Sequence, residues 1–466
     1  MRRFTVLAGP LALAALVFAC ENDDGTGAGP TFVLPESGAF DSSLPDSGTL
    51  DVVAPPQALT VVVTSFIGAA VADVPVVFHD ATGAVLETKT TGADGKAVST
   101  PSAALAMATV VFAKNPTRRE LLTWTGVSGG DVLPVVAPSD DPIAEVEITI
   151  PGSFDGTDGP TFNYYAKVGG CDAYSATAVE PITVSLYPHC YTGAGAVLVA
   201  GSNTKDIIVA HTLKKSIPVP DGGVMTVTTE EWTSPPADVT VSVTNTSDTS
   251  GRAFFSQIAN QTAFVDSKPL DGTQTSFPAV SGAFVDGYNA AISFNVDFLR
   301  TRVIGKRVAP TSTTIELDAA QLPPELTDAS VDATSLTRPV ATWTGNMSGM
   351  KGGLVRLSWV DSSFEVRTNW SVVVPANEAE TGSITVPELP ANLAELVLPP
   401  ESDPGEWQGT PDVTFVDSDL LPDYATWRKL QGVIVPLSLA EYGRVERAVL
   451  PGNGSFRSSN VHPYAD

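Results

Sequence analysis

Hydrophobic and polar positions alternate with a period of two along most of this chain. Val146, Ile148 and Ile150 share one face, as do Ile182, Val184 and Leu186. The same spacing returns at Val239, Val241 and Val243, at Val355, Leu357 and Trp359, and at Trp370, Val372 and Val374. Successive side chains of an extended strand point to opposite faces, so each run predicts a strand with one face in a core. Asp80 to Gly83 and Asp94-Gly95 divide Val74–Val98 into three strand-like pieces, and Gly201 to Thr204 joins Ala196–Ala200 to Ile207–Leu213 as a hairpin. Only Asp318–Leu326 and Ala391–Leu396 have helical composition. No period of about 20 to 50 residues recurs. The pattern predicts an all-β chain of tandem antiparallel β-sandwiches of immunoglobulin-like kind.

Composition agrees with that picture. The 466 residues are 43% hydrophobic, ample for several cores, and 37 Pro with 39 Gly favour short strands and turns over helices. The net charge of −26 argues against nucleic acid and anionic membrane surfaces as partners, and suits solubility outside the cell.

The N-terminus breaks the strand pattern. Arg2 and Arg3 precede an apolar run, Phe4–Ala19. That run falls short of the roughly 20 residues a membrane span needs, so residues 1–19 read as a secretory signal peptide. Val17-Phe18-Ala19-Cys20 resembles the lipobox of bacterial lipoproteins. The resemblance implies that Cys20 is acylated, by palmitate or a similar chain, and becomes the mature N-terminus. It makes the membrane a partner through that anchor and locates the protein in the cell envelope, at the outer membrane or cell surface. Ordinary cleavage after Ala19 is the alternative. The rest of the segment 20–56 carries Glu21, Asp23, Asp24, Glu36, Asp41, Asp46 and Asp51, no Lys or Arg, and many Gly, Ser and Pro. Such a segment cannot bury enough apolar surface to offset its ordering entropy, so it is expected to be a disordered tether about 35 Å long.

Three folded regions are expected beyond it: 57–140, 141–262 and 263–466, the last holding one or two sandwiches. Val74–Val98, with its Val-x-Phe strand and Asp94-Gly95 turn, resembles bacterial immunoglobulin-like and carboxypeptidase-regulatory-like modules. That resemblance implies a sandwich and brings no active site. In the second region, Gly170, Cys171, Cys190 and Trp232 resemble a frame of uncharacterised surface lipoproteins of Gram-negative bacteria. With Cys20 assigned to lipid, Cys171 and Cys190 are an isolated pair in an exported chain, and a disulfide is expected between them.

Few residues suggest chemistry. Gly126-Val-Ser128-Gly-Gly130 spells the G-x-S-x-G of serine hydrolases, but Asp-Val-Leu-Pro-Val-Val follows where the motif needs a helix. Of the histidines, His79, His189, His211 and His462, none stands in a zinc-ligand spacing. Asp155 and Asp158 are weak calcium candidates in a loop that otherwise reads as a plain turn. Trp343, Trp359, Trp370, Trp407 and Trp427 suggest a sugar platform, although Trp359 and Trp370 alternate in phase with core residues. Arg300, Arg302, Lys306 and Arg307 form a basic island that is expected to pair with local acids. No catalytic residue, metal or cofactor is assigned. The expected role is non-catalytic binding, adhesion or scaffolding at the cell surface, with a protein or glycan as ligand. A secreted glycan- or peptide-hydrolysing enzyme with an unrecognised site is the competing class.

Overall fold

The computed structural model describes residues 56–431 and 454–461, apart from short internal stretches of which the longest is 188–194. The signal segment, Cys20 and nearly all of the expected tether lie outside them.

Alternation builds the first sandwich. β1 (Thr60–Thr64) buries Val61 and Val63, and β2 (Pro75–His79) buries Val76 and Phe78 against them. With β3 (Val85–Thr90), β4 (Lys96–Val98), β5 (Met107–Phe112), β6 (Arg118–Thr125) and β7 (Val132–Val136) they make two facing sheets, β4-β1-β7 and β3-β2-β5-β6. β1 runs antiparallel to β4 and parallel to β7. Each fully buried Val, Leu or Phe between the sheets contributes about 1.5–3 kcal/mol by leaving water.

The second sandwich begins with β8 (Ala144–Thr149), followed by a two-residue pairing of β9 (Asp155–Gly156) with β10 (Gly159–Pro160). It continues through β11 (Asn163–Val168), β12 (Cys171–Ser175), β13 (Ile182–Leu186), β14 (Gly195–Ser202), β15 (Ile208–Ile217) and β16 (Val224–Thr228). Its sheets are β13-β8-β16 and β12-β11-β14-β15. The third comprises β17 (Ala237–Thr244), β18 (Arg252–Ala259), β19 (Thr262–Pro269), β20 (Gln274–Ala279), β21 (Gly287–Asn295), β22 (Arg300–Val308) and β23 (Thr314–Asp318), arranged as β20-β17-β23 and β19-β18-β21-β22. Leaving out the small β9–β10 pairing, all three share one plan. The first strand sits between the fourth, antiparallel, and the seventh, parallel, and the other sheet reads third, second, fifth, sixth. Their first strands start at residues 60, 144 and 237, a spacing too long and too divergent in sequence to register as a short repeat.

The fourth sandwich differs. β24 (Asp328–Asp332), β25 (Val340–Thr344), β26 (Gly352–Val360), β27 (Arg367–Val374), β28 (Thr381–Thr385), α1 (Ala391–Val397), β29 (Glu406–Trp407), β30 (Asp412–Ser418), α2 (Tyr424–Gln431) and β31 (Gly454–Val461) follow in order. One sheet is β24-β25-β28, and the other is β27-β26-β30-β31 with β29 on β26. The chain is thus a set of tandem β-sandwiches. The division expected at 262/263 falls within β19, after its first residue, and would split the third sandwich, since β18 before it pairs with both β19 and β21. Helix over Asp318–Leu326 reduces to one 3-10 turn, Ala319–Gln321, capped by the Asp318 carboxylate on the Ala320 N–H at 3.0 Å. Pro323 and Pro324 end it. The helical composition at Ala391–Leu396 does form α1.

Edge strands join these units. β27 runs parallel to β6 from Arg367 opposite Arg118 to Val373 opposite Trp124, and β31 runs antiparallel to β22 from Val461 opposite Arg300 to Gly454 opposite Arg307. The result is a single 13-stranded sheet through the first, fourth and third sandwiches, ordered β19-β18-β21-β22-β31-β30-β26-β27-β6-β5-β2-β3 with β29 beside β26. An open edge is a template for unwanted pairing. Here the fourth sandwich closes one edge of each neighbour. Gly305 marks how closely the β22–β31 seam packs, since a Cβ there would overlap the ring of Phe456.

Candidate functional site

The G-x-S-x-G segment lies between β6 and β7, with Gly126 and Gly130 at φ 62° and 91°, a left-handed backbone that glycine adopts most readily. The Ser128 N–H donates to Asp131 Oδ2 at 2.9 Å, and the Ser128 hydroxyl lies 3.4 Å from the same oxygen. That carboxylate also meets Arg428 Nη2, from α2, at 2.5 Å. Arg428 further donates to the carbonyl of Gly126 and packs over the Tyr424 ring. The Tyr424 hydroxyl lies 3.0 and 3.1 Å from the carbonyls of Thr125 and Val373, either of which can accept its proton, and burial raises its pKa to about 12. The Ser128 amide and hydroxyl thus converge on the Asp131 carboxylate, which holds Arg428 of α2. No histidine adjoins it among these contacts, and the segment turns into a strand. The hydrolase motif is a docking turn.

His79 is buried under the fourth sandwich. Its Nε2 lies 3.0 Å from Thr109 Oγ1, and burial lowers its pKa to about 4. His211, on β15, exchanges backbone hydrogen bonds with Thr233 and is likewise held at about 4 by burial. His189 and His462 lie outside the described residues.

Cys171 opens β12 opposite Val168 and is buried in the core of the second sandwich, while Cys190 lies outside the described residues. Asp155 pairs with Pro160 in the small β9–β10 hairpin, and Asp158 lies outside the described residues. Among the described residues, no group of three or more His, Cys, Asp or Glu is placed to hold a metal ion.

The five tryptophans are core residues. Trp343, Trp359, Trp370, Trp407 and Trp427 are at most 6% exposed. Trp343 donates to Asn377 Oδ1 at 2.9 Å, and Trp407 to the Leu336 carbonyl at 3.0 Å. A sugar platform needs an exposed ring face, and none of these five rings offers one. Trp407 and Trp427, which sit in loop-like sequence, prove to lie on β29 and α2.

The basic island stitches the third sandwich to the fourth. Arg300 pairs with Glu325 at 2.9 Å, and Arg302 Nε donates to the Pro323 carbonyl at 2.8 Å. Beside it, along the β22–β31 seam, opens a cleft of ≈ 490 Å³ whose lining includes Lys306, Glu316, Asp318, Asp417, Asp419 and Arg457. Three of its four acids are engaged locally. Asp417 pairs with Arg457 at 2.8 Å, Asp419 accepts from the Ser455 N–H at 2.9 Å, and Asp318 accepts from Asn245 at 2.8 Å. The cleft is polar and of mixed charge, with most of its charged groups already paired across the seam. Arg428, Tyr424 and the cleft residues carry no local sequence motif, because their partners lie in distant parts of the chain.

No family model matches this sequence, and no curated protein matches it. Solved structures give only slight overlaps. The Bacillus anthracis TIE protein aligns at 10% identity over 57% of this chain and 50% of its own, with a TM-score of 0.16. The major pilin subunit of Bacillus cereus aligns at 10% identity over 56% of this chain and 98% of its own, at 0.15. Escherichia coli alpha-2-macroglobulin aligns at 10% identity over 78% of this chain and 41% of its own, at 0.12. The chain thus spans half the length of the TIE protein, and scores this low decide nothing about function.

Proposed function

We propose that this chain is a lipid-anchored, non-catalytic component of the cell envelope, acting in binding, adhesion or scaffolding at the cell surface. The observation that supports this reading is the sheet continued through three sandwiches by closed edges, which makes a stiff body from small modules. The residues that most suggest catalysis are committed to packing: Ser128 and Asp131 to seating α2, His79 and, in the second sandwich, His211 to buried strands. Cys20 carries the acyl chain, the acidic segment after it spaces the body from the membrane, and a protein or glycan is the ligand. Changing Cys20 to Ala is expected to abolish acyl labelling and move the protein from the membrane fraction to the soluble one. Persistent membrane association without Cys20 would overturn the anchor.

Within the second sandwich, the proposal includes a Cys171–Cys190 disulfide. It would close a loop of about 20 residues, stabilising by roughly 3 kcal/mol in the chain-entropy model. The burial of Cys171 supports it, since a bonded sulfur suits an apolar core. Thiol labelling of the unfolded, unreduced protein should find neither cysteine free; two labelled thiols would sink the bond.

A further inference from the structure

Three strands occupy the same place in their sandwiches. β7, β16 and β23 are each the seventh strand of the shared plan, at the edge of a sheet and parallel to the first strand. The Thr60 N–H donates to the Asp131 carbonyl and the Ala137 N–H to that of Thr64, so odd-numbered residues of β7 face β1. Backbone groups alternate in direction along a strand, so Val132, Pro134 and Val136 turn theirs away. In the second sandwich the Glu145 N–H meets the Gly223 carbonyl and the Thr229 N–H that of Thr149, which leaves Val224, Thr226 and Thr228 facing outward. In the third the Thr240 N–H meets the Thr313 carbonyl, which leaves Thr314, Glu316 and Asp318.

Outward backbone groups are a template for a further strand, and natural edges are blunted with proline or charge. The first and third sandwiches follow that rule. Pro134 has no N–H to offer, and Glu316 and Asp318 set charge on their edge. β16 breaks it. Its sequence, Val-Met-Thr-Val-Thr, has no charge and no proline, and its ladder to β8 runs without a register shift. Val224 is 59% exposed, the most of any large apolar side chain among the described residues, and Thr226 and Thr228 are exposed beside it. Among the described strands, none lies on that side of β16.

Charge decides what can take the place. Val146, Ile148 and Val227 point into the core, so Glu145 and Glu147 stand on the outer face, opposite Val224 and Thr226. No ion pair engages either acid among the described residues. Two more acids, Glu230 and Glu231, follow β16. A strand added to β16 lies two strand spacings from Glu145 and Glu147, about 9.5 Å. A lysine or arginine on its outer face can lean over Val224 and Thr226 to meet them, covering the apolar surface with its stem. A second copy brings no such cation, because its own β16 is uncharged and its β8 carries the same acids.

We propose that β16 is a docking edge for an extended segment of another protein, one that alternates apolar and basic residues and adds a strand to the sheet β13-β8-β16. Main-chain hydrogen bonds to Val224, Thr226 and Thr228 hold the segment, and side chains on its alternate faces select it. Its apolar side chains lie beside Met225 and Val227, and its basic ones reach the acids of β8. This deepens the binding role proposed above and rests on it, while the lipid anchor does not enter.

Hydrogen exchange at single amides of the full chain tests this with two synthetic probes, Lys-Val-Lys-Val-Lys-Val-Lys and the same peptide with Glu for Lys. At about ten times its half-saturating concentration, the basic probe should slow exchange at Val224, Thr226 and Thr228 by about tenfold. Val132 and Thr314, on the guarded edges, should not change, and the acidic probe should protect nothing. Thr226→Pro removes one outward N–H without touching the ladder to β8, as Pro134 does in the first sandwich, and should abolish the protection. Should that variant fail to fold, Thr226→Lys sets a like charge against the basic probe and should weaken its binding about fivefold. No protection in the wild type, or equal protection by both probes, would overturn the proposal. So would protection that grows with the concentration of the chain alone and vanishes in Thr226→Pro, because the occupant would then be a second copy. The Cys20→Ala fractionation reads the anchor separately, so a failed docking edge leaves that result standing.

Discussion

Replacing Arg428 with Met is expected to destabilise the first sandwich by about 3–5 kcal/mol, the usual consequence of removing one partner from a buried ion pair. Arg428 is 3% exposed, and its guanidinium is the link between α2 and the turn at Gly126. Met keeps the apolar stem over Tyr424 but leaves the Asp131 carboxylate with only the Ser128 amide and hydroxyl. A second substitution makes the expectation sharper. Pairing Arg428→Met with Asp131→Leu removes both charges, and should recover most of the loss because an apolar pair of similar volume avoids the desolvation cost. Denaturant unfolding, followed by tryptophan fluorescence, reads both. A loss under 1 kcal/mol in the single variant would mean that α2 is seated by Tyr424 and Trp427 alone.

Trp370→Ala should cost a similar amount, about 3–5 kcal/mol, from the cavity it leaves. The residue stands opposite Leu121 on β6 and Leu357 on β26, so the void would open on the junction itself. Its N–H also donates across the seam to Thr123 Oγ1 at 2.9 Å. Trp370→Phe separates the two roles: it retains much of the packing and removes the donor, for an expected loss of about 1–3 kcal/mol. Limited proteolysis should then cut the Ala variant at the β6 or β27 edge before the wild type. Equal resistance in both would place the strength of the seam elsewhere, in the backbone pairing of β6 with β27.

Local alternation made the strands legible. Val146, Ile148 and Ile150 read as one face and are all buried, and Trp359 and Trp370 fell in phase with core residues that they do join. The Ser128 motif was readable as structural because no helix could follow it. What the sequence withheld has two physical sources. Strand partners are chosen over long separations: β6 meets β27 through the match of two free edges, and neither edge announces its mate. α2 is too short to show a helical period and owes its stability to tertiary contacts, such as the Trp124 indole donating to the Arg428 carbonyl at 3.1 Å. Trp427 therefore looked like a loop residue.

The order of strands in the long sheet differs from their order in the chain, and this governs how the protein must be born. A nascent polypeptide emerges N-terminus first, so β6 is made long before β27, and β22 long before β31. The first and third sandwiches therefore wait, each with one raw edge, until the C-terminal sandwich arrives between them. Contacts spanning so many residues fold slowly, and exposed edges invite aggregation meanwhile. Residues 454–461 complete the sheet, so a chain cut short before them would keep the third sandwich's β22 edge unpaired. Folding of such a chain is safe only if synthesis runs through residue 461, or if something shields those edges until it does.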